Sequence, residues 1–408
     1  MTLEEAQALD AADPLRHARD RFRLPDGTIY LDGNSLGALP AATPARLVQT
    51  VEHQWGEDLI ASWTRHGWID APRRVAAKLA PLLGADVDEL LIAESTSVCL
   101  FKLLAAAVQA QPGRSTILSQ EGNFPTDLYV AQGLTELLPH IRLRTVPAGE
   151  IESAIDEDTA VVMLTQVDYR SAARLDLASI NAAARARGTL TLWDLSHSAG
   201  AIEIDLKRDG CDLAVGCGYK YLNGGPGAPA FLFAAGHLQG RLRSPLPGWM
   251  AHAEPFAFEP AFRPAEGIAQ FLTGTPSILA IAALEAGLDS FAGIPMSAIE
   301  AKAAALSQRF IEEVEARCGS EVQLASPREP SRRGSHVSFA HPAGYAVIQA
   351  LIERGVVGDF RAPDLMRFGF APLYNGFVDV LRAAETMAEI LRDGSWDQPR
   401  FRERSRVT

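Results

Sequence analysis

Residues 192–227 read LWDLSHSAGAIEIDLKRDGCDLAVGCGYKYLNGGPG, and two short apolar runs organise them. The first, TLTLW, ends on Asp194, with His197 three positions on. The second, CDLAVGCG, ends on Tyr219 and Lys220, and the turn Asn223-Gly224-Gly225-Pro226-Gly227 follows. Short apolar runs bounded by turn residues read as buried strands of a parallel sheet. In such sheets ligands collect at the carboxyl ends of the strands. Asp194 and Lys220 both fall at such ends, one β-connection-β unit apart.

Either residue alone reads as a surface lysine or a helix-capping aspartate. Together they suit pyridoxal phosphate (PLP): a lysine forms a Schiff base, and an acid keeps a proton on the pyridine nitrogen so that the ring accepts electrons. A phosphate-type site strengthens the pairing. The run ELLIAE (89–94) is a predicted strand, followed by Ser95-Thr96-Ser97 and the helix-forming VCLFKLLAAAVQA. Hydroxyl residues at a strand-to-helix junction offer an N-cap and free backbone N–H groups to an anion.

Outward from there the pattern alternates. Strands are predicted at 89–94, 115–120, 160–167, TLTLW, LAVGC and PAFLFAA, with helices at TDLYVAQGLTELL and LASINAAARARG. At least six strands alternating with helices predict an α/β fold with a doubly wound, mostly parallel sheet. Residues 3–20 read as one amphipathic helix. Thr43-Pro44 reads as N-cap and first position of a helix to about Trp55. Thr273-Gly274-Thr275-Pro276 reads as the cap of the helix SILAIAALEAGLDSF. From about 295 a helix (296–317), the strands EVQLASP and HVSFAH, a helix GYAVIQALIERG, a strand pair and a closing helix (377–392) predict a smaller α+β unit. The expected organisation is an N-terminal segment, 1–45, packing with the small domain, a large domain, 46–290, and the small C-terminal domain, 291–408. The segment RLPDGTIYLDGNSLGALP is dense in turn signals and reads as either a structural loop or the wall of a site. In SWTRHGW (62–68), Trp63 and Trp68 read as core or as an aromatic wall.

The totals bound the function. The 408 residues suffice for two domains, and 47% hydrophobic with 22% charged residues is an ordinary globular mix. A net charge of −12 disfavours nucleic acid and anionic membranes as partners. Cys99, Cys211, Cys217 and Cys318 show no metal-ligand spacing, so no metal and a reduced, cytoplasmic protein are expected. The acidic N-terminus does not read as a signal peptide, and no run reaches the ~20 apolar residues of a membrane span. The tail FRERSRVT reads as a solvated end.

The motifs YLDGNSLG (30–37), NFPTDLY (123–129), WDLSHSAGA (193–201), GCGYKYLNGGPG (216–227), RGSHVSF (333–339) and MRFGFAPLYN (366–375) resemble those of kynureninase, nearly end to end. The resemblance implies a fold-type-I PLP hydrolase with a seven-stranded-type sheet. Its activity cleaves L-kynurenine, or the 3-hydroxy form, to an anthranilate and alanine in tryptophan degradation. It implies that Lys220 binds the cofactor aldehyde, Asp194 pairs with the ring nitrogen, and His197 lies beside the ring. Phe124 stacks on the ring, with Asp127 in the same loop, and Thr96, Ser97 and Tyr219 reach the phosphate. Trp249 and Thr275 look like phosphate contacts, with Thr275 from a second subunit and Trp249 from the same or the second subunit, which implies a homodimer with shared sites. Arg367 looks like the clamp for the α-carboxylate, and Trp63 and His66 border the aromatic ring of the substrate. Tyr219 reads equally as proton relay or phosphate ligand. The chain departs from the pattern at Asp168, Ser171-Ala172 and Gly218; Ser171 still offers a hydroxyl to the cofactor. The rival readings are a desulfurase-like or aminotransferase-like enzyme of the same fold, and a non-catalytic binding protein. A nicotinamide enzyme is disfavoured because no G-x-G-x-x-G follows the first strand.

Overall fold

The computed structural model describes residues 1–404. Its centre is a sheet of seven strands: β1 (Leu90–Ala93), β2 (Thr116–Gln120), β3 (Arg142–Val146), β4 (Thr159–Thr165), β5 (Leu190–Asp194), β6 (Leu213–Cys217) and β7 (Ala230–Ala234). They lie in the order β1-β7-β6-β5-β4-β2-β3. Only β7 runs against its neighbours, so six of the seven strands point the same way. Strands β4 to β7 are buried along their whole length, which is why they read as unbroken apolar runs. The strand not foreseen from the sequence is β3. It is an edge strand, RLRTV, carrying arginines that face solvent and bond acids on the 154–158 turn, so it lacks the apolar signature.

A second sheet, all antiparallel, follows: β8 (Gln323–Leu324), β9 (His336–Ala340), β10 (Asp359–Arg361) and β11 (Leu365–Gly369), in the order β8-β9-β11-β10. The helices Met296–Cys318, Gly344–Glu353 and Phe377–Asp393 cover it. The buried apolar residues form two clusters. One runs around the large sheet; the other is built from Leu306, Phe310, Val337, Phe339, Phe368 and their neighbours in the C-terminal part.

The N-terminal segment joins the two. Its first helix spans only Leu3–Ala12, because Asp13-Pro14 ends the expected 3–20 helix; a tight turn, Arg16–Arg21, takes over. Asp10 accepts from the N–H groups of Phe377 and Val378 and so caps the last long helix. Leu15, Ala18 and Phe22 enter the large cluster, whereas Leu31 enters the small one. Strand Ile29–Tyr30 pairs parallel with Val356–Val357.

Three local expectations shift. Thr43 begins its helix rather than capping it, and its hydroxyl has no partner; beyond Val48 the chain continues as a wider π-type turn to Trp55. Ser277, not the 273–276 stretch, stands at the N-cap of Ile278–Asp289. The basic tail is anchored rather than wholly solvated, since Phe401 packs into the small cluster; 405–408 lie outside the described residues. No helix among the described residues is long and apolar enough to cross a membrane.

Candidate active site

Asp194 is the last residue of β5, in register with Thr165 at the end of β4. Its carboxyl is buried, and Oδ1 accepts from the Ser196 N–H at 2.7 Å. Thr165 donates its hydroxyl at 3.0 Å to Asp127, which sits in the first turn of the helix Pro125–Leu137. Asn123 holds the same corner, accepting from the Thr165 N–H and donating to Ser119. Burial pushes both carboxyls upward; for Asp127 the charge of Asp194 adds to it, and Lys220 pulls each back down. Two buried acids sharing a corner call for a cation or a proton between them.

The chain has five lysines. Lys78, Lys102, Lys207 and Lys302 each sit in an ion pair with a carboxylate. Lys220, three residues past β6, has no such partner among the described residues. Its Nζ lies 3.1 Å from Nε2 of His197, 5.9 Å from the centre of the Phe124 ring and 5.8 Å from that of Tyr219. Burial, then the charge of Lys220, hold His197 well below the usual imidazole range, so it is neutral. Nε2 also lies 3.1 Å from the carbonyl of Asn34. It accepts from an ammonium at Lys220, or, when that group is a free amine, carries the proton and donates to Asn34. Asn34 belongs to the 30–37 loop, which therefore lines the site. The Gly37 N–H donates to the Tyr219 carbonyl at 2.8 Å, and a Cβ at Gly37 would come 2.4 Å from the Lys220 carbonyl, so only glycine fits there. Phe124 packs edge-on against Tyr169.

The second part of the site is a cavity of about 470 Å³ lined by Glu94, Ser95, Thr96, Tyr219, Gly274 and Thr275, among others. Thr96 opens the helix Thr96–Gln109, and Ser95 is its N-cap. Burial raises the Tyr219 phenol above its ordinary range, so its hydroxyl stays a donor. Thr96, Tyr219 and Thr275 thus line one cavity within a single chain. Ser97 follows in the same first turn but does not line the cavity.

The third part comes from the small sheet. Arg367 lies in the middle of β11 and is 1% exposed. Its Nε donates at 2.7 Å to Oδ1 of Asp359 on the neighbouring strand β10, and Nη2 donates to Oδ2 of the same carboxylate. Nη1 donates to the Tyr169 carbonyl and Nη2 to Ser35 at 3.2 Å. Arg361 reaches Asp359 as well, at 2.9 Å. Together these bonds hold the Asp359 carboxyl below its usual range despite burial. Asp32 is pushed up to about 7, by burial first and then by Asp359. Sequence reasoning gave no individual role to Asp32, Ser35, Asp359 or His336, although it read the segment holding Asp32 and Ser35 as either a structural loop or the wall of a site. His336, on β9, is fully buried, stacks edge-on against His197 and has no hydrogen-bond partner on either nitrogen. Only its position in a motif beside the Arg367 strand could have flagged it.

Four further expected residues make their side-chain contacts with other neighbours. Trp63 packs against Trp68, and His66 bonds Asp58 at 2.7 Å. His66 and Trp68 line a separate cavity that shares Ile281 with the larger one. Trp249 packs against Phe256. Ser171 turns its hydroxyl to Asp168 at 2.6 Å; that carboxylate also accepts from the Arg170 and Ser171 N–H groups and so closes its own loop.

The chain is 50% identical over 415 residues to kynureninase of Burkholderia mallei strain SAVP1, covering all of both chains. It belongs to the kynureninase family. The kynureninase of Pseudomonas fluorescens is 48% identical over 414 residues, again covering both chains in full. The family described as Kynureninase C-terminal domain matches residues 299–387, the helix, sheet and Arg367 region. Among solved structures, the cystine C-S lyase C-DES with glycine covalently linked to its PLP cofactor superposes with a TM-score of 0.80 at 19% identity, over 91% of this chain and 99% of that one. An apo cysteine desulfurase from Thermococcus onnurineus NA1 gives 0.78 at 19%, over 92% and 98%. These likenesses place the fold among fold-type-I PLP enzymes.

Proposed function

We propose that the chain hydrolyses L-kynurenine, its 3-hydroxy form, or both, to the corresponding anthranilate and L-alanine with the help of PLP, a step of tryptophan degradation. One observation carries the reading: Lys220, which alone of the five lysines has no carboxylate partner among the described residues, lies within range of the charge of a buried aspartate at a strand end. The residues fit the cofactor. The acid pair Asp127 and Asp194 suits a protonated ring nitrogen, Phe124 offers a ring face, and the cavity at Thr96 offers hydroxyls and first-turn N–H groups to a phosphate. Bound there, PLP supplies an aldehyde for the substrate amine and an electron-accepting ring.

The protein groups do the rest. As a free amine Lys220 would move the Cα proton, and His197 would accept a hydrogen bond from the ammonium so formed. Asp194 holds the proton on the ring nitrogen. Tyr219 keeps its hydroxyl proton, which suits both a phosphate ligand and a donor at Cβ. Arg367 takes the α-carboxylate; Asp359 fixes one edge of its guanidinium, so the clamp is oriented before substrate arrives. Thr96, Ser97 and Thr275 serve the phosphate, with Ser171 and Trp249 as outer contributors, and Trp63 and His66 border the aromatic end.

A homodimer completes the site in this reading. Trp55, Leu59 and Ile60 are 57%, 60% and 80% exposed, and Phe256 and Phe258 are 64% and 75% exposed, on segments that carry Trp63 and Trp249. Large exposed apolar side chains of this kind mark contact surfaces. A desulfurase reading is opposed by the cysteines, all four of which are buried. Four reduced thiols also suit a cytoplasmic setting.

The test is direct. PLP-loaded protein incubated with L-kynurenine yields anthranilate fluorescence and alanine in equal amounts, without a 2-oxo acid. Release that depends on a 2-oxo acid points to an aminotransferase, and no product at all to a binding protein.

A further inference from the structure

The cavity assigned to the phosphate has a charge problem. No lysine or arginine among the described residues lines it, and one lining residue, Glu94, is acidic. A phosphate dianion facing an unneutralised carboxylate is repelled. The nearest relief is a residue that sequence reasoning treated only as part of a helix. Lys102, a turn and a half into Thr96–Gln109, is fully buried. Its ammonium donates to Oε2 of Glu94 at 2.5 Å and to the carbonyl of Phe271 at 2.7 Å.

Glu94 lines the cavity, and Phe271 immediately precedes the lining residue Leu272. Glu94 follows β1 with φ +26, a backbone conformation that side-chain-bearing residues rarely adopt. That turn delivers Ser95, Thr96 and Ser97 to the helix start. Phe271 ends the turn Gly267–Phe271, and Leu272, Gly274 and Thr275 beyond it form the opposite wall. A buried lysine is costly unless its charge is paired and its hydrogen bonds are satisfied. Here the pairing is spent on the one acid that faces the cavity.

We propose that Lys102 is a positioning residue for the phosphate end of the cofactor. It cancels the charge of Glu94 and holds the strained 94–96 turn against the 271–275 wall, so that hydroxyls and N–H groups, rather than a direct cation, receive the phosphate. Lys102 touches neither phosphate nor substrate and acts through Glu94. The inference rests on the PLP reading above.

The experiment compares binding of PLP and of pyridoxal, which lacks the phosphate, to the apoprotein by equilibrium absorbance titration. Both ligands use Lys220, so the ratio of their dissociation constants isolates the phosphate end. Lys102→Met leaves Glu94 unpaired. It is expected to weaken PLP at least 10-fold while changing pyridoxal less than 3-fold. Adding Glu94→Gln to that variant is expected to restore most of the lost PLP affinity. Glu94→Gln alone keeps the ammonium, removes the facing charge, and is expected to favour PLP over pyridoxal about 3-fold more than in the parent. That single variant carries the test even where Lys102→Met does not fold. Equal losses for both ligands in Lys102→Met, no rescue in the double variant, or a Glu94→Gln ratio below the parent's would each overturn the proposal in favour of a plain structural ion pair. A parent protein that binds neither ligand would instead sink the PLP reading beneath it.

Discussion

The two basic residues central to the site, Lys220 and Arg367, are held in opposite ways. Lys220 lies past the end of a parallel strand, beside a neutral imidazole and without a carboxylate partner among the described residues. Arg367 lies inside an antiparallel strand, and most of its donors are already engaged, two of them by Asp359. The difference follows from the work each does. A nucleophile must give up a proton, and a salt bridge would hold that proton in place. A carboxylate clamp must keep its charge and its direction; the fork to Asp359 fixes the guanidinium, and the bonds of its other edge to Ser35 and Tyr169 are the ones a substrate carboxylate replaces.

The largest expected effect tests the first half of that contrast. Lys220→Ala should abolish the visible absorbance of bound PLP and lower turnover by on the order of 10⁴-fold; ordinary turnover in that variant would remove Lys220 from the chemistry. Next comes the clamp. Arg367→Ala should mainly raise KM, by about 2–4 kcal/mol of lost binding, because a desolvated charge pair is broken. Asp359→Asn should do the same more weakly, by about 1–2 kcal/mol, with kcat nearly kept. Should Asp359→Asn lower kcat and leave KM alone, the notion of an oriented clamp fails.

The third effect is a pH dependence of stability. Asp32 binds its proton more tightly in the folded chain, up to about 7, than an unfolded aspartate does. The folded state therefore carries the extra proton between about pH 4 and 7, and this residue's contribution to stability falls as pH rises through that window. Asp32→Asn should shrink the drop in Tm between pH 5 and pH 8; an unchanged drop would place the titration elsewhere. The smallest effect is expected at Asp168. Its carboxylate closes its own loop, so Asp168→Asn should change kcat/KM by less than about 3-fold and cost under about 1 kcal/mol of stability, by chemical unfolding.

The same contrast explains what could be read without a structure. Parallel strands buried on both faces give continuous apolar runs, and their functional residues sit at the ends, so Asp194 and Lys220 stood out from the pattern alone. Edge strand β3 did not, because arginines replace the apolar run. Arg367 was visible only through the family motif. Its partner Asp359 lies on another strand, and an antiparallel register is not written in sequence spacing. Lys102 was hidden for a related reason: in a helix of strong formers it reads as a solvated charge, and only tertiary packing shows it to be buried. Thr43 and the 273–276 stretch show that a capping residue type identifies a helix start only to within a residue or two.

The most direct measurement is to reduce the PLP-loaded protein with borohydride and map the modified peptide by mass spectrometry. The pyridoxyl group should sit on Lys220 alone, and Asp194→Asn should keep that attachment while shifting the absorbance and removing turnover. A label on Lys78, Lys102, Lys207 or Lys302, or no label at all, would contradict the placement of the cofactor beside Asp194.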